Sequence, residues 1–142
     1  MKRLQDRVAV ITGAASGIGL ATARRFAEEG ALVVGVDLNT DAIKTLAKET
    51  GGDAIACDVT DEAAVEAMFE QVVDTHGSVD VAFNNAGISP PDDDSILVTG
   101  LEAWRRVQEV NLTSVYLCCR AALPYMLEQG RGSIMNLSLI HI

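Results

Sequence analysis

Three closely spaced glycines follow the first apolar run of the chain. The run Arg7–Thr12 predicts a buried strand, and Gly13, Gly17 and Gly19 lie between it and an Ala-rich helical pattern. At such a turn, glycines allow a sharp bend, a close approach of the backbone to a pyrophosphate, and tight packing of helix on strand. The helix amino terminus adds unpaired N–H groups and a positive dipole end. The pattern predicts a dinucleotide-phosphate loop, with a purely structural turn as the alternative.

A carboxylate follows the second apolar run. Residues 31–36 (ALVVGV) predict a strand, and Asp37 comes directly after it. A carboxylate in this place accepts hydrogen bonds from both hydroxyls of an adenosine ribose and repels a 2′-phosphate. No Arg or Lys occupies the neighbouring positions Ala14, Ala15, Ser16, Leu38 and Asn39. Together with the glycines, Asp37 argues against the purely structural turn and predicts NAD rather than NADP.

Short β-branched runs alternate with helical patterns along the chain, which is typical of βαβ units. The predicted strands are residues 7–12, 31–36, 54–57, 79–83 and 133–137. The predicted helices are residues 17–29 and 41–49, a helix capped by Thr60, a segment opened by a Thr99–Glu102 capping box, and Val110–Met126. We expect an α/β doubly wound parallel sheet of the Rossmann type, with strand order 3-2-1-4-5. Residues 1–142 are expected to form a single NAD-binding domain, incomplete because it stops before the last strands of the sheet.

The composition excludes several classes of partner. A net charge of -9 argues against nucleic acid, because phosphate binding relies on clustered Lys and Arg. No apolar run is long enough to span a membrane, and no basic cluster would hold the chain on one. The three cysteines lack metal-ligand spacing and predict reduced thiols in a cytoplasmic protein. No metal site is predicted, since the acidic run Asp92–Asp94 is typical of a solvated loop.

Four motifs, taken in order, resemble the short-chain dehydrogenase/reductase family. They are TGAASGIG at residues 12–19, Asp37, CDV at residues 57–59 and NNAG at residues 84–87. The resemblance implies an NAD(P)-dependent oxidoreductase that transfers hydride between nicotinamide and a small-molecule alcohol or carbonyl substrate. The residues it assigns to the cofactor are Gly13, Ser16, Gly17, Ile18, Gly19, Asp37, Leu38, Asp58, Val59, Asn85, Ala86 and Gly87.

The resemblance also implies individual roles within this set. Asp58 would accept a hydrogen bond from the adenine amino group while Val59 packs on the ring. The alternative for Asp58 is a helix-capping acid before Thr60. Residues 85–87 would line the pocket towards the nicotinamide-side ribose, and Asn84 would brace the sheet.

The family's Asn-Ser-Tyr-Lys tetrad is matched only in part. Asn111 matches the asparagine, which in that family holds a water linking the lysine to solvent; a structural back-bond is the alternative. The serine is expected three residues beyond Asn136, where Leu139 stands. Ser138 is one residue short, and a one-residue slip points a strand side chain to the other face, which argues against a catalytic Ser138.

The Tyr–Lys pair is absent from this chain. The fourth residue after Tyr116 is Arg120, the fourth after Tyr125 is Gln129, and no lysine follows Lys48. Because the pair carries the family's proton transfer, we expect this chain to be an inactive fragment of a dehydrogenase. A non-catalytic NAD-binding sensor and a subunit completed by another chain are the alternatives.

Three further expectations concern the second half of the chain. The segment Val110–Met126 is apolar nearly all round and resembles the family's subunit-interface helix, which implies a homo-oligomer. Apolar side chains of the fourth and fifth strands, between Val79 and Met135, are expected to be partly open on one face. Residues 137–142 (LSLIHI) are expected to be foreign to the natural protein. The likeness to the family ends at Asn136, and one reading frame of a sequencing-transposon end encodes this hexapeptide. A diverged natural terminus is the alternative.

Overall fold

Five parallel strands form one sheet in the computed structural model, which describes residues 2–138. The strands are β1 (Val8–Thr12), β2 (Leu32–Asp37), β3 (Asp53–Ala56), β4 (Val81–Asn84) and β5 (Ser133–Asn136). Their order is β3-β2-β1-β4-β5, which confirms the predicted order. The central strand β1 places Ala9 beside Val33 of β2 and Val81 of β4. All five strands therefore present their carboxyl ends at one edge of the sheet.

Helices cover both faces of the sheet. They are α1 (Gly17–Glu28), α2 (Thr40–Thr50), α3 (Glu62–His76), α4 (Leu101–Gln108) and α5 (Ser114–Gln129), with a π-helical turn (Glu109–Thr113) joining α4 to α5 without a break. Alternate residues of a strand point to opposite faces, and β1 divides accordingly. Val8 and Val10 pack with Phe69 of α3 and Leu117 of α5. Ala9 and Ile11 belong to a second cluster, which includes the α2 side chains Ile43 and Leu46.

Helix starts differ from the sequence predictions in two places. Asp61, not Thr60, caps α3, because its carboxylate accepts from the Ala64 amide at 3.1 Å. The Thr60 hydroxyl instead donates to Asp58 at 2.7 Å. The expected Thr99–Glu102 capping box is also wrong: α4 begins after Gly100 with no side-chain cap.

The expected opening of the fourth and fifth strands is limited to β5. Val79, Val81 and Phe83 are buried, with at most 8% of their surface exposed. Ile134 is half-buried, and Met135 is exposed. Beside Met135 a groove of about 320 Å³ runs over Val81. Within residues 2–138, no helix is long and apolar enough to cross a membrane.

Candidate functional site

The glycine loop lies between the carboxyl end of β1 and the amino terminus of α1. Gly13 and Gly17 have φ of +65° and +55°, values that favour glycine. A Cβ on Gly19 would lie 2.2 Å from the Gly13 carbonyl oxygen, so this position requires glycine for packing. At Gly17, by contrast, a Cβ would meet no atom within 4 Å. Gly19 therefore packs against the chain, whereas the Cα of Gly17 faces open space.

Two clefts adjoin at the carboxyl edge of the sheet and share Gly13, Asp37 and Gly87. The first, of about 180 Å³, is mostly apolar and lies beside β2 and β3. Its walls are formed by Gly13, Val36, Asp37, Leu38, Cys57, Asp58, Val59, Ala86, Gly87, Ile88 and Val110. The second, of about 500 Å³, contains Gly13, Ser16, Gly17, Ile18, Asp37, Asn85, Gly87 and Leu137. Every residue assigned to the cofactor, apart from the packing glycine Gly19, therefore lines one of two connected clefts.

Asp37 lies at the wall that the two clefts share. Its Oδ2 accepts a hydrogen bond from the Ala15 amide at 3.1 Å, and its Oδ1 accepts from the Asn39 amide at 3.0 Å. No ion pair to Asp37 is found among residues 2–138. Each carboxylate oxygen has a further lone pair, so both can still accept from a ligand hydroxyl.

Asp58 lies in the mostly apolar cleft, beside Val59. The Thr60 hydroxyl and then the Thr60 amide, at 2.9 Å, donate to its Oδ1, which lowers the pKa of the Asp58 carboxyl. The carboxylate caps no helix, because Asp61 caps α3. The capping alternative for Asp58 is therefore wrong, and an ionised acceptor stands in the cleft. Burial raises the pKa of the neighbouring Cys57 thiol to about 11, which keeps it protonated.

Thr12 and Asn85 join the glycine loop to the loop after β4. The buried Thr12 hydroxyl accepts from the amides of Asn85 and Ala86, both at 3.0 Å. The Asn85 side-chain amide donates to the carbonyls of Thr12 at 3.0 Å and Gly13 at 3.2 Å. The sequence analysis missed the role of Thr12. The available signal was a hydroxyl at the end of a wholly apolar strand, which has to find a partner.

Asn84 and Asn111 hold the neighbouring backbone. Asn84 donates to the Asn136 side chain at 2.8 Å and so links β4 to β5. Asn111 lies in the π-helical turn, where its Oδ1 accepts from the Ile88 amide at 2.7 Å and its Nδ2 donates to the Ile88 carbonyl at 2.8 Å. The alternative of a back-bond within its own helix is wrong, since both hydrogen-bond partners of the Asn111 side chain belong to Ile88, in the loop after β4.

The other residues that the sequence analysis compared with the tetrad do not form a catalytic group in the described chain. Tyr116 is exposed, and Arg120 donates to its hydroxyl at 3.1 Å. Gln129 is bonded to both main-chain groups of Val79. Ser138 is exposed, and Leu139 lies outside the described residues. Within residues 2–138 no group of three or more His, Cys, Asp or Glu side chains could hold a metal ion.

Known proteins share this sequence and this fold. A family model described as enoyl-(acyl carrier protein) reductase matches residues 13–142. The chain is 41% identical to a 3-oxoacyl-[acyl-carrier-protein] reductase of Thermotoga maritima, covering 97% of this chain and 57% of that protein. It is 45% identical to a cis-4-hydroxycyclohexanecarboxylate dehydrogenase of Sinomonas cyclohexanicum, covering 95% and 55%. The chain thus spans about half the length of the curated relatives it matches.

Solved structures agree with these sequence relatives. A Burkholderia xenovorans protein described as a short-chain dehydrogenase/reductase has a TM-score of 0.84 at 40% identity, covering 94% of this chain and 54% of that one. A metagenomic short-chain oxidoreductase solved in complex with NADP has a TM-score of 0.88 at 35% identity, covering 97% and 64%. The motif order, the sheet and these relatives agree, and the chain belongs to the short-chain dehydrogenase/reductase family.

Proposed function

We propose that the chain binds NAD along the two connected clefts, with the adenosine in the smaller cleft beside Asp58 and Val59. The observation that carries this proposal is Asp37, a carboxylate without an ion-pair partner in the described chain, held at the shared wall with lone pairs to spare. It would accept from both hydroxyls of the adenosine ribose. The phosphates would lie at the amino terminus of α1, against Gly17.

The preference for NAD over NADP follows from charge. A 2′-phosphate would stand beside the Asp37 carboxylate and cost Coulomb energy. No Arg or Lys lies at positions 14–16, 38 or 39 to offset that cost. One neighbour of 35% identity was solved in complex with NADP, so the test has to compare both dinucleotides.

The activity proposed for a protein containing this chain is oxidation of an alcohol or reduction of a carbonyl. The bound nicotinamide supplies the site that accepts or donates hydride. The residues described here bind and orient: Asp37 and Asp58 hold the adenosine end, and the loop after β4, fixed by Thr12 and Asn111, lines the path towards the nicotinamide end.

Isothermal titration calorimetry, with NAD and NADP titrated separately into the chain, measures the two affinities and tests this proposal. We expect NAD to bind about tenfold more tightly or better, and Asp37→Ser to narrow the difference. The matched control is Asp41→Ser, which removes an exposed carboxylate in the first turn of α2, outside both clefts. Equal or tighter binding of NADP to the unaltered chain would refute the assignment of Asp37.

A non-catalytic NAD-binding module is the second candidate. It is suggested by the residues of the 142-residue chain itself, in which Arg120 and Gln129, not lysine, stand four positions after Tyr116 and Tyr125. We expect no dehydrogenase turnover from the 142-residue chain with any alcohol, since general acid–base catalysis alone is worth roughly 10²–10⁴ in rate. NADH formation above that of a Gly17→Asp control would contradict this expectation.

The exposed side of α5 and of the π-helical turn is proposed as a contact between copies of the chain. Four large side chains there are exposed: Leu112, Tyr116, Leu123 and Leu127. Apolar side chains repeated on one helix side are typical of an interface. Sedimentation should show an oligomer that Leu123→Glu dissociates; a monomer before the substitution would remove this proposal.

A further inference from the structure

The phosphate loop is joined to the end of β2 by two hydrogen bonds. The Ala14 amide donates to the Val36 carbonyl at 3.2 Å, within the backbone. The Ala15 amide donates to the Asp37 carboxylate at 3.1 Å. The other oxygen of that carboxylate accepts from the Asn39 amide at 3.0 Å. Asp37 therefore bridges the phosphate loop and the turn that begins α2.

The opposite side of the loop is held only at its start. Asn85 bonds the carbonyls of Thr12 and Gly13, which precede the bend. From Ala14 to Gly17, the bond from Ala15 to Asp37 is the only one to a side chain within the described part of the chain. In the described chain, residues 14–17, which would face the phosphates, thus have one hydrogen bond to a side chain, and that side chain is Asp37.

We infer that Asp37 is a positioning residue for the phosphate loop in addition to its proposed contact with the ribose. This inference rests on the proposed function for its ligand, and on the Ala15 bond for its mechanism. One lone pair of Oδ2 holds the loop and one of Oδ1 accepts from the Asn39 amide, so each oxygen keeps one lone pair for a ligand. A loop already held in place loses less conformational freedom when a ligand binds, so the bond favours binding of any diphosphate.

A consequence for cofactor choice follows. A substitution such as Asp37→Ala removes the charge that repels a 2′-phosphate and also releases the Ala15 amide. Both dinucleotides then bind less tightly than loss of the ribose contact alone would explain. A change of preference without this loss needs an acceptor for Ala15, supplied by residue 37 itself, as in Asp37→Asn, or by a neighbouring residue.

Amide hydrogen exchange of Ala15, measured by NMR on the full chain without ligand, tests the loop role directly. Asp37→Ala should raise the exchange rate of Ala15 about tenfold, because a protecting acceptor is lost. The amide of Val10, in the buried strand β1, should be unchanged and excludes global unfolding. Asp41→Ala serves as the matched control and should leave Ala15 unchanged. An unaltered Ala15 rate in Asp37→Ala would overturn the inference.

A second measurement separates the effect of Asp37 on the phosphate loop from its contact with the ribose hydroxyls. ADP and 2′,3′-dideoxy-ADP are titrated into Asp37→Ala and Asp37→Asn, which carry the same charge. The dideoxy probe has no hydroxyl for residue 37, whereas the Asn oxygen can still accept from Ala15. We expect dideoxy-ADP to bind about threefold more tightly to Asp37→Asn than to Asp37→Ala.

Equal dideoxy-ADP affinities in the two variants would overturn the loop role and leave only ribose recognition. If the unaltered chain binds neither ADP nor dideoxy-ADP, the proposed function fails. The Ala15 exchange rate then decides the loop role by itself, so the two failures are distinguishable.

Discussion

Carboxylates at the two edges of the sheet have different partners. At the amino edge, the buried Asp80 accepts from Arg7, Arg131, the Ser78 hydroxyl and the Val8 amide. At the carboxyl edge, Asp37 and Asp58 accept only from amides and one hydroxyl in the described chain. The charge of Asp80 at the amino edge is thus neutralised by arginines, whereas the charges of Asp37 and Asp58 at the carboxyl edge have no arginine partner in the described chain.

The difference separates structural acids from binding acids. Burial of Asp80 raises its pKa, but the hydrogen bonds from Val8, Ser78 and the two arginines outweigh it, so the net effect is a lowered pKa. An acid with four donors has little capacity left for a ligand. Asp37 and Asp58 are oriented by neutral groups and keep both charge and lone pairs for a ligand that brings hydroxyl or amino donors.

The largest expected effect is that of Asp80→Asn on stability. The substitution removes a buried carboxylate charge that accepts from two partly exposed arginines, and losing these charge-assisted hydrogen bonds costs about 3 kcal/mol in all. The matched control is Asp92→Asn, which breaks the exposed pair with Arg106 and should cost much less stability. Urea unfolding of the two variants measures both values. Equal losses of unfolding free energy in the two variants would mean that Asp80 does not stabilise the amino edge of the sheet.

A smaller effect is expected from Gly19→Ala at the carboxyl edge. The new Cβ would lie 2.2 Å from the Gly13 carbonyl oxygen and 2.5 Å from Nδ2 of Asn85. Overpacking of this kind costs about 2 kcal/mol and displaces the phosphate loop. Gly17→Ala should cost about 1 kcal/mol, from its positive φ alone. If thermal unfolding ranks Gly17→Ala as the more destabilising of the two, the packing role of Gly19 is wrong.

The smallest expected effect concerns Glu29, on the amino side of the sheet. Hydrogen bonds from the Arg3 side chain and amide lower the pKa of Glu29 from 4.5 to about 2. A depressed folded-state pKa contributes stability above the unfolded value, and this contribution is lost as the pH falls from about 4.5 towards 2. Glu29→Gln should flatten the fall of the unfolding free energy in that pH window. An unchanged slope would show that the arginines around Glu29, Arg3 and Arg25, do not stabilise its ionised form.

Much of the fold could be predicted because its signals are local. Apolar β-branched runs and glycine turns predicted the five strands to within a residue or two, and the doubly wound Rossmann arrangement predicted their order. The residues of the glycine loop and Asp37 could be placed for the same reason. Each stands directly at the end of a strand whose position the pattern defines.

The remainder depends on contacts between distant segments. The π-helical turn contains Asn111, whose partner Ile88 lies in a separate loop, and no local pattern indicates that pairing. The start of α3 was misplaced because Thr60 and Asp61 are both good caps; in the structure the Thr60 side chain turns to Asp58, and the Asp61 carboxylate accepts from the Ala64 amide. The link between Ala15 and Asp37 likewise joins two strand ends that meet only in the folded sheet.

A crystal structure of the chain with bound NAD tests the central claim most directly. The account predicts both hydroxyls of the adenosine ribose within hydrogen-bond distance of the Asp37 carboxylate, with the adenine beside Asp58 and Val59. The Ala15 amide should still donate to Asp37. NAD bound elsewhere, or an Asp37 carboxylate turned away from the ribose, would contradict the division between a structural edge and a binding edge.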